Sequence, residues 1–75
     1  MGERVLLFKE DGVPYFMDDV KDWEHWPDQV DKKLILTVRN EQNIQTVLPP
    51  IYDELAEEIV WRLQKQDIHG KIRKG

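Results

Sequence analysis

Two adjacent prolines, Pro49-Pro50, constrain this chain more than any other pair of residues, because neither a helix interior nor a central strand runs through them. They divide it into a leading part of short apolar runs and a trailing part with one helical pattern. In the trailing part, residues 51–66 put Ile51, Tyr52, Leu55, Ala56, Ile59, Val60 and Leu63 on one broad apolar face, which predicts an amphipathic helix. Asp53 and Glu54 stand in its first turn, where acids complement the helix dipole. Prolines just before the first turn cost nothing, since those amides have no partner within the helix. Gly70 is the expected cap beyond its C-terminus.

The leading part reads as strands. Val5-Leu6-Leu7-Phe8 is rich in strand formers and too short for a helix, so residues 3–9 are expected to be extended. Glu10-Asp11-Gly12 breaks the run with turn chemistry, and residues 13–17 return as a second strand that Pro14 keeps short or confines to an edge. Residues 33–39 alternate Leu34, Leu36 and Val38 against Ile35, Thr37 and Arg39. The polar connection Asn40-Glu41-Gln42-Asn43 then joins them to a fourth strand over 44–48. Between the two hairpins, Asp18 or Asp19 is placed to cap a short acidic helix that ends before Pro27 and sets Val20 and Trp23 on one face.

The expected fold class is therefore α+β, with a small antiparallel sheet of three to four strands packed against one C-terminal helix. One compact domain over residues 1–70 is expected, followed by a flexible basic tail over 71–75. A domain of 75 residues removes only roughly 60% of its unfolded surface from water, so its core is thin. Apolar residues on both faces of the strands need more cover than one helix supplies. Either the short tryptophan helix or a second copy of the chain has to provide it, and a symmetric homodimer is expected on that ground.

Composition removes several chemistries. The chain has neither cysteine nor serine, which excludes disulfides, thiolate metal sites and Ser or Cys nucleophiles. Its four glycines are isolated, so no phosphate loop exists. Asp18, Asp22 and His25 would stack at i, i+4 and i+7 on a helix, the nearest approach to a metal-ligand set. Nearly every acidic helix produces such a triplet, and it is read as a solvated face. The carboxylates Glu54, Glu57 and Glu58 lie in densely charged sequence that offers no apolar environment to raise one pKa. The chain is thus expected to be no enzyme and to need no cofactor. The short apolar run and the opening Met1-Gly2-Glu3-Arg4 argue against a membrane span or a leader, and a cytoplasmic location is the expectation.

Binding to another protein fits the residues better. Trp23 and Trp26 stand close together among Asp19, Asp22 and Glu24, and tryptophan anchors well-packed interface centres. Trp61 falls on the charged side of the main helix, so it either covers a second part of the core or meets a partner. Trp23, Trp26, Trp61, Asp19 and Asp22 are the expected protein-binding residues. Charge supports an alternative: residues 1–31 carry −6 and residues 32–75 carry +2, with Arg62, Lys65, Lys71, Arg73 and Lys74 clustered near the end. Those five are the expected contacts of a nucleic-acid-associated protein, a reading that the overall charge of −4 disfavours.

Overall fold

A computed structural model describes residues 4–40 and 42–74. Glu3, Glu41 and Gly75, which belong to the expected first strand, hairpin connection and tail, lie outside the described residues, as do Met1 and Gly2. The chain forms β1 (Leu6–Glu10), β2 (Val13–Phe16), β3 (Val20–His25), β4 (Leu34–Arg39), β5 (Gln45–Val47), α1 (Asp53–Lys65) and β6 (Lys71–Ile72). β1 and β2 make a two-stranded sheet; the other four make a mixed sheet in the order β5-β4-β3-β6. The α+β class is as expected, with α1 covering one sheet face, but the larger sheet is mixed because β6 runs parallel to β3.

The β1–β2 hairpin turns on Asp11 and Gly12, both with positive φ (49° and 79°), between the paired residues Glu10 and Val13. That is the turn whose twist matches antiparallel strands, and Asp-Gly is the sequence for it. The two faces of β1 do not simply alternate. The register shifts between Leu6 and Phe8, leaving Leu7 as an extra residue, so Leu7 and Phe8 are both buried while Leu6 is exposed. A bulge thereby removes the conflict between rows that the sequence presents.

The largest correction lies at residues 18–26. In place of a short helix there is a single 3₁₀ turn, Met17–Asp19, followed by the six-residue strand β3. Asp19 closes the turn by accepting the Phe16 N–H at 2.9 Å. The register against β4 shifts between Val20 and Asp22, which makes Lys21 a bulge residue and puts Val20, Trp23 and His25 together on the core face. The bulge converts a two-residue period into the three-residue spacing that reads as helical.

β4 is the centre of the larger sheet. Leu34, Leu36 and Val38 are buried against α1, and Ile35 and Thr37 are half-buried on the other face. β4 pairs with β5 as expected, and the pairing continues past β5: Leu48 donates to Leu36, and Leu34 and Ile51 exchange hydrogen bonds of 2.8 and 2.9 Å. Pro49-Pro50 lies inside that extension, where no amide is required. Because Ile51 is held in the bridge, α1 starts at Asp53 and not at residue 51.

The helix packs through Ala56, Ile59, Val60 and Leu63. Leu55, expected on this face, is 51% exposed. At 100° per residue it sits about a quarter-turn from the centre of the buried stripe. The helix ends in a Schellman motif: Ile68 N–H reaches the Leu63 carbonyl, Asp67 N–H the Gln64 carbonyl, and Asp67 takes φ of 55°. The left-handed cap is therefore Asp67 and not Gly70.

Gly70 has a different task. A Cβ there would lie 2.0 Å from Cε2 of Trp23, so only glycine lets the chain cross the indole. Trp23 Nε1–H donates to the Ile68 carbonyl at 3.0 Å from the other side of this crossing. The chain then pairs Lys71 and Ile72 beside Glu24 and His25, and Arg73 N–H donates to the His25 carbonyl at 2.7 Å. Residues expected as the start of a loose tail thus form a strap that closes the sheet edge.

Candidate functional site

The expected binding residues separate in the structure. Trp23 is 4% exposed and belongs to the core, so it offers no contact surface. Asp19 is used locally: besides closing its turn, it pairs with Arg4, which also bonds Asp18. Asp22 Oδ1 accepts the Trp23 N–H and points to the face opposite His25. The triplet Asp18, Asp22 and His25 is accordingly split, and among the described residues no three His, Asp or Glu side chains gather as a metal-binding group. Trp26 is half-buried beneath Lys33, whose Nζ lies 4.7 Å from the ring centre. Trp61 is the exposed one, at 61%.

The basic residues are likewise dispersed. Arg62 reaches β1, donating to the carbonyls of Leu6 and Leu7 at 2.8 and 3.1 Å. Arg73 pairs with Glu24 at 2.8 Å, and Lys65 sits over the Trp61 ring at 4.8 Å. Lys71 and Lys74 are exposed. Arg62 and the β6 residues therefore lie on opposite flanks of α1.

Two concavities stand out among the described residues. A groove of about 410 Å³ runs between β2 and the β4–β5 hairpin, but Arg4 and Asp19, which line it, are already engaged with one another. A smaller recess of about 260 Å³ lies at the junction of α1, β3 and β6. Pro27, Val60, Trp61 and Ile72 form its apolar wall; His25, Glu57 and Gln64 are its polar groups. The sequence places these residues far apart, and the parallel pairing of His25 with Ile72 brings them together.

His25 is the chemically unusual member. It is 4% exposed, and its Nε2 is closed off from solvent with no hydrogen-bond partner among the described residues. Burial lowers its pKa below the ordinary histidine value, and Lys32 charge acts in the same direction. A backbone hydrogen bond at Lys32 and the charge of Glu57 oppose the shift without overcoming it. The ring is therefore neutral near pH 7. Lys32 also pairs with Glu57 at 3.1 Å, on a part of the rim open to water. The recess therefore combines an aromatic wall, a carboxylate paired with Lys32 and a neutral imidazole whose Nε2 is closed off from solvent.

No protein-family model, curated protein or solved structure matches the chain. No helix among the described residues is long and apolar enough to cross a membrane.

Proposed function

We propose that this protein is a non-enzymatic binding module that holds another protein against the Trp61 flank of α1. The observation that carries this reading is the exposure of Trp61 beside exposed Ile72, over a recess with an apolar wall. A large aromatic side chain at the mouth of a pocket is the kind of anchor that dominates binding energy when a partner excludes water around it. The acidic residues expected to bind contribute less: Asp19 closes its own turn, and Asp22 accepts the Trp23 N–H.

The test is affinity capture from a native extract with the wild-type chain and with Trp61→Ala as paired baits. A protein retained by the wild type and lost from the variant supports the reading; the same proteins on both baits contradict it. Sedimentation equilibrium of the two chains identifies the case in which the captured protein is a second copy. Binding of mixed duplex and single-stranded nucleic acid that falls steeply with salt, and weakens when Lys71, Arg73 and Lys74 are neutralised, would favour the nucleic-acid alternative instead.

A further inference from the structure

We infer that a second copy of this chain pairs along the outer edge of β5, antiparallel and about a two-fold axis at Thr46, so that the two larger sheets join into one. This surface is separate from the Trp61 flank, which faces β3 and β6.

β5 ends the sheet order β5-β4-β3-β6 among the described residues. Leu48 N–H donates to Leu36, the Ile44 carbonyl accepts from Asn40, and Thr46 pairs with Val38, so these residues turn their backbone groups toward β4. Backbone groups of an antiparallel strand alternate sides, which directs the N–H and C=O of Gln45 and Val47 outward. Both residues are exposed. An outward row of that kind is a template for another strand, and folded proteins blunt it with charge, proline or cover.

The other strands of this molecule are blunted. Pro14 stands in β2, and the Phe16 N–H is taken by Asp19. Arg62 occupies the carbonyls of Leu6 and Leu7 in β1. β6 is two residues long, and Lys71 is followed closely by Arg73 and Lys74. β5 has none of these features. It lies within residues 42–52, eleven residues without a charge in a chain that is 35% charged; the next longest such stretch, 12–17, has six.

The register of the strand selects a second copy as the occupant. Gln45 stands opposite Val47 of the second copy and Val47 opposite its Gln45, each couple exchanging a pair of hydrogen bonds, while Thr46 meets Thr46 at the axis. Pro49, next in the outward row, has no N–H, and the seam ends there. The same register sets Ile44 of the second copy beside Leu48, on the sheet face under α1. Ile44 is exposed, and so is Leu55, which stands on this side of the helix because it lies two turns before Arg62, the residue that reaches β1. An unrelated strand gains the hydrogen bonds alone; a second copy also supplies Ile44 next to a Leu55 that the fold leaves uncovered, and symmetry makes the contact twice. No like charges meet along the seam. The joined sheet ends at β6 on both sides, where short, basic edges stop a third copy.

The experiment is sedimentation equilibrium of the full chain over a micromolar concentration series. The expected result is a reversible passage from the 9.0 kDa chain to twice that mass, with no larger species. Trp61→Ala should associate as the wild type does. Thr46→Lys sets like charges face to face at an exposed position and should weaken the dimer several-fold. Val47→Pro removes an outward donor that β4 does not use and should weaken it about tenfold. Mixing Thr46→Lys with Thr46→Glu should give a dimer tighter than either variant forms alone, which separates a contact at the axis from damage to the fold. Amide exchange at Gln45 and Val47 should slow as concentration rises. A 9.0 kDa species that persists at high micromolar concentration, a dimer indifferent to both Thr46→Lys and Val47→Pro, a Lys–Glu mixture no tighter than its components, or growth beyond two copies would overturn the inference.

Discussion

The two flanks of α1 are made of similar residues and finished differently. On the hairpin flank, Arg62 satisfies two backbone carbonyls of β1, Leu7 and Phe8 are buried, and Phe8 stacks on Tyr15 with ring centres 5.4 Å apart. On the β6 flank, the adjacent residue Trp61 stands in solvent above a recess that contains an unpartnered imidazole. One flank uses its arginine and aromatics to join two sheets. The other leaves its aromatic exposed, with Lys65 over the ring. On the proposed function, neighbouring residues of one helix turn serve folding and contact separately, and this separation can be tested substitution by substitution.

The strap beneath the β6 flank is the place where the comparison is easiest to break. Trp23→Ala removes a buried indole and its bond to Ile68, and should cost about 3–5 kcal/mol in denaturant unfolding. Retention of near wild-type stability would mean that β6 is not held through Trp23. Gly70→Ala places a methyl into the same indole and should cost about 1–3 kcal/mol or more, together with faster amide exchange at Arg73, whose N–H bonds the His25 carbonyl.

Smaller effects sharpen the contrast between the flanks. Arg62→Ala should cost about 1 kcal/mol, because two carbonyls lose a charged donor at a partly exposed site. Trp61→Ala, one residue earlier, should stay within about 0.5 kcal/mol of wild type, as surface substitutions do. A large loss in Trp61→Ala with none in Arg62→Ala would reverse the assignment of the flanks.

His25 adds a dependence on pH. Its folded pKa lies below the unfolded value, so the unfolded chain binds the proton more readily and stability increases with pH across that window. Its contribution is complete above the unfolded value of about 6.5 and is lost as pH falls through the lower folded value. Urea unfolding between pH 7 and pH 5 should therefore show a decline that flattens in His25→Phe.

The comparison also explains what was legible in the sequence. The main helix and the hairpin flank were readable because their signals are local: a long apolar face, an Asp-Gly turn, and an alternating strand followed by a polar connection. What failed did so where a distant pairing overrode a local pattern. Ile51 leaves the helix to bridge Leu34, and the bulge at Lys21 makes Val20 and Trp23 imitate helical spacing. The two residues of β6 are too few to give any periodic signal, and their pairing depends on Gly70 meeting Trp23. Of the site, Trp61 was visible as an aromatic off the apolar stripe. The recess was not, since it exists only once β6 lies beside His25.

The central claim is that the β6 flank, and not the hairpin flank, is where this protein meets its partner. A ¹⁵N-labelled chain mixed with the protein captured by the wild-type bait tests it directly. The indole N–H of Trp61 and the amides of Ile72 and Gln64 should shift or broaden on binding, while Trp23 and the amides of Leu7 and Phe8 stay in place. Movement confined to the β1–β2 hairpin, with the Trp61 indole unchanged at saturation, would contradict the account.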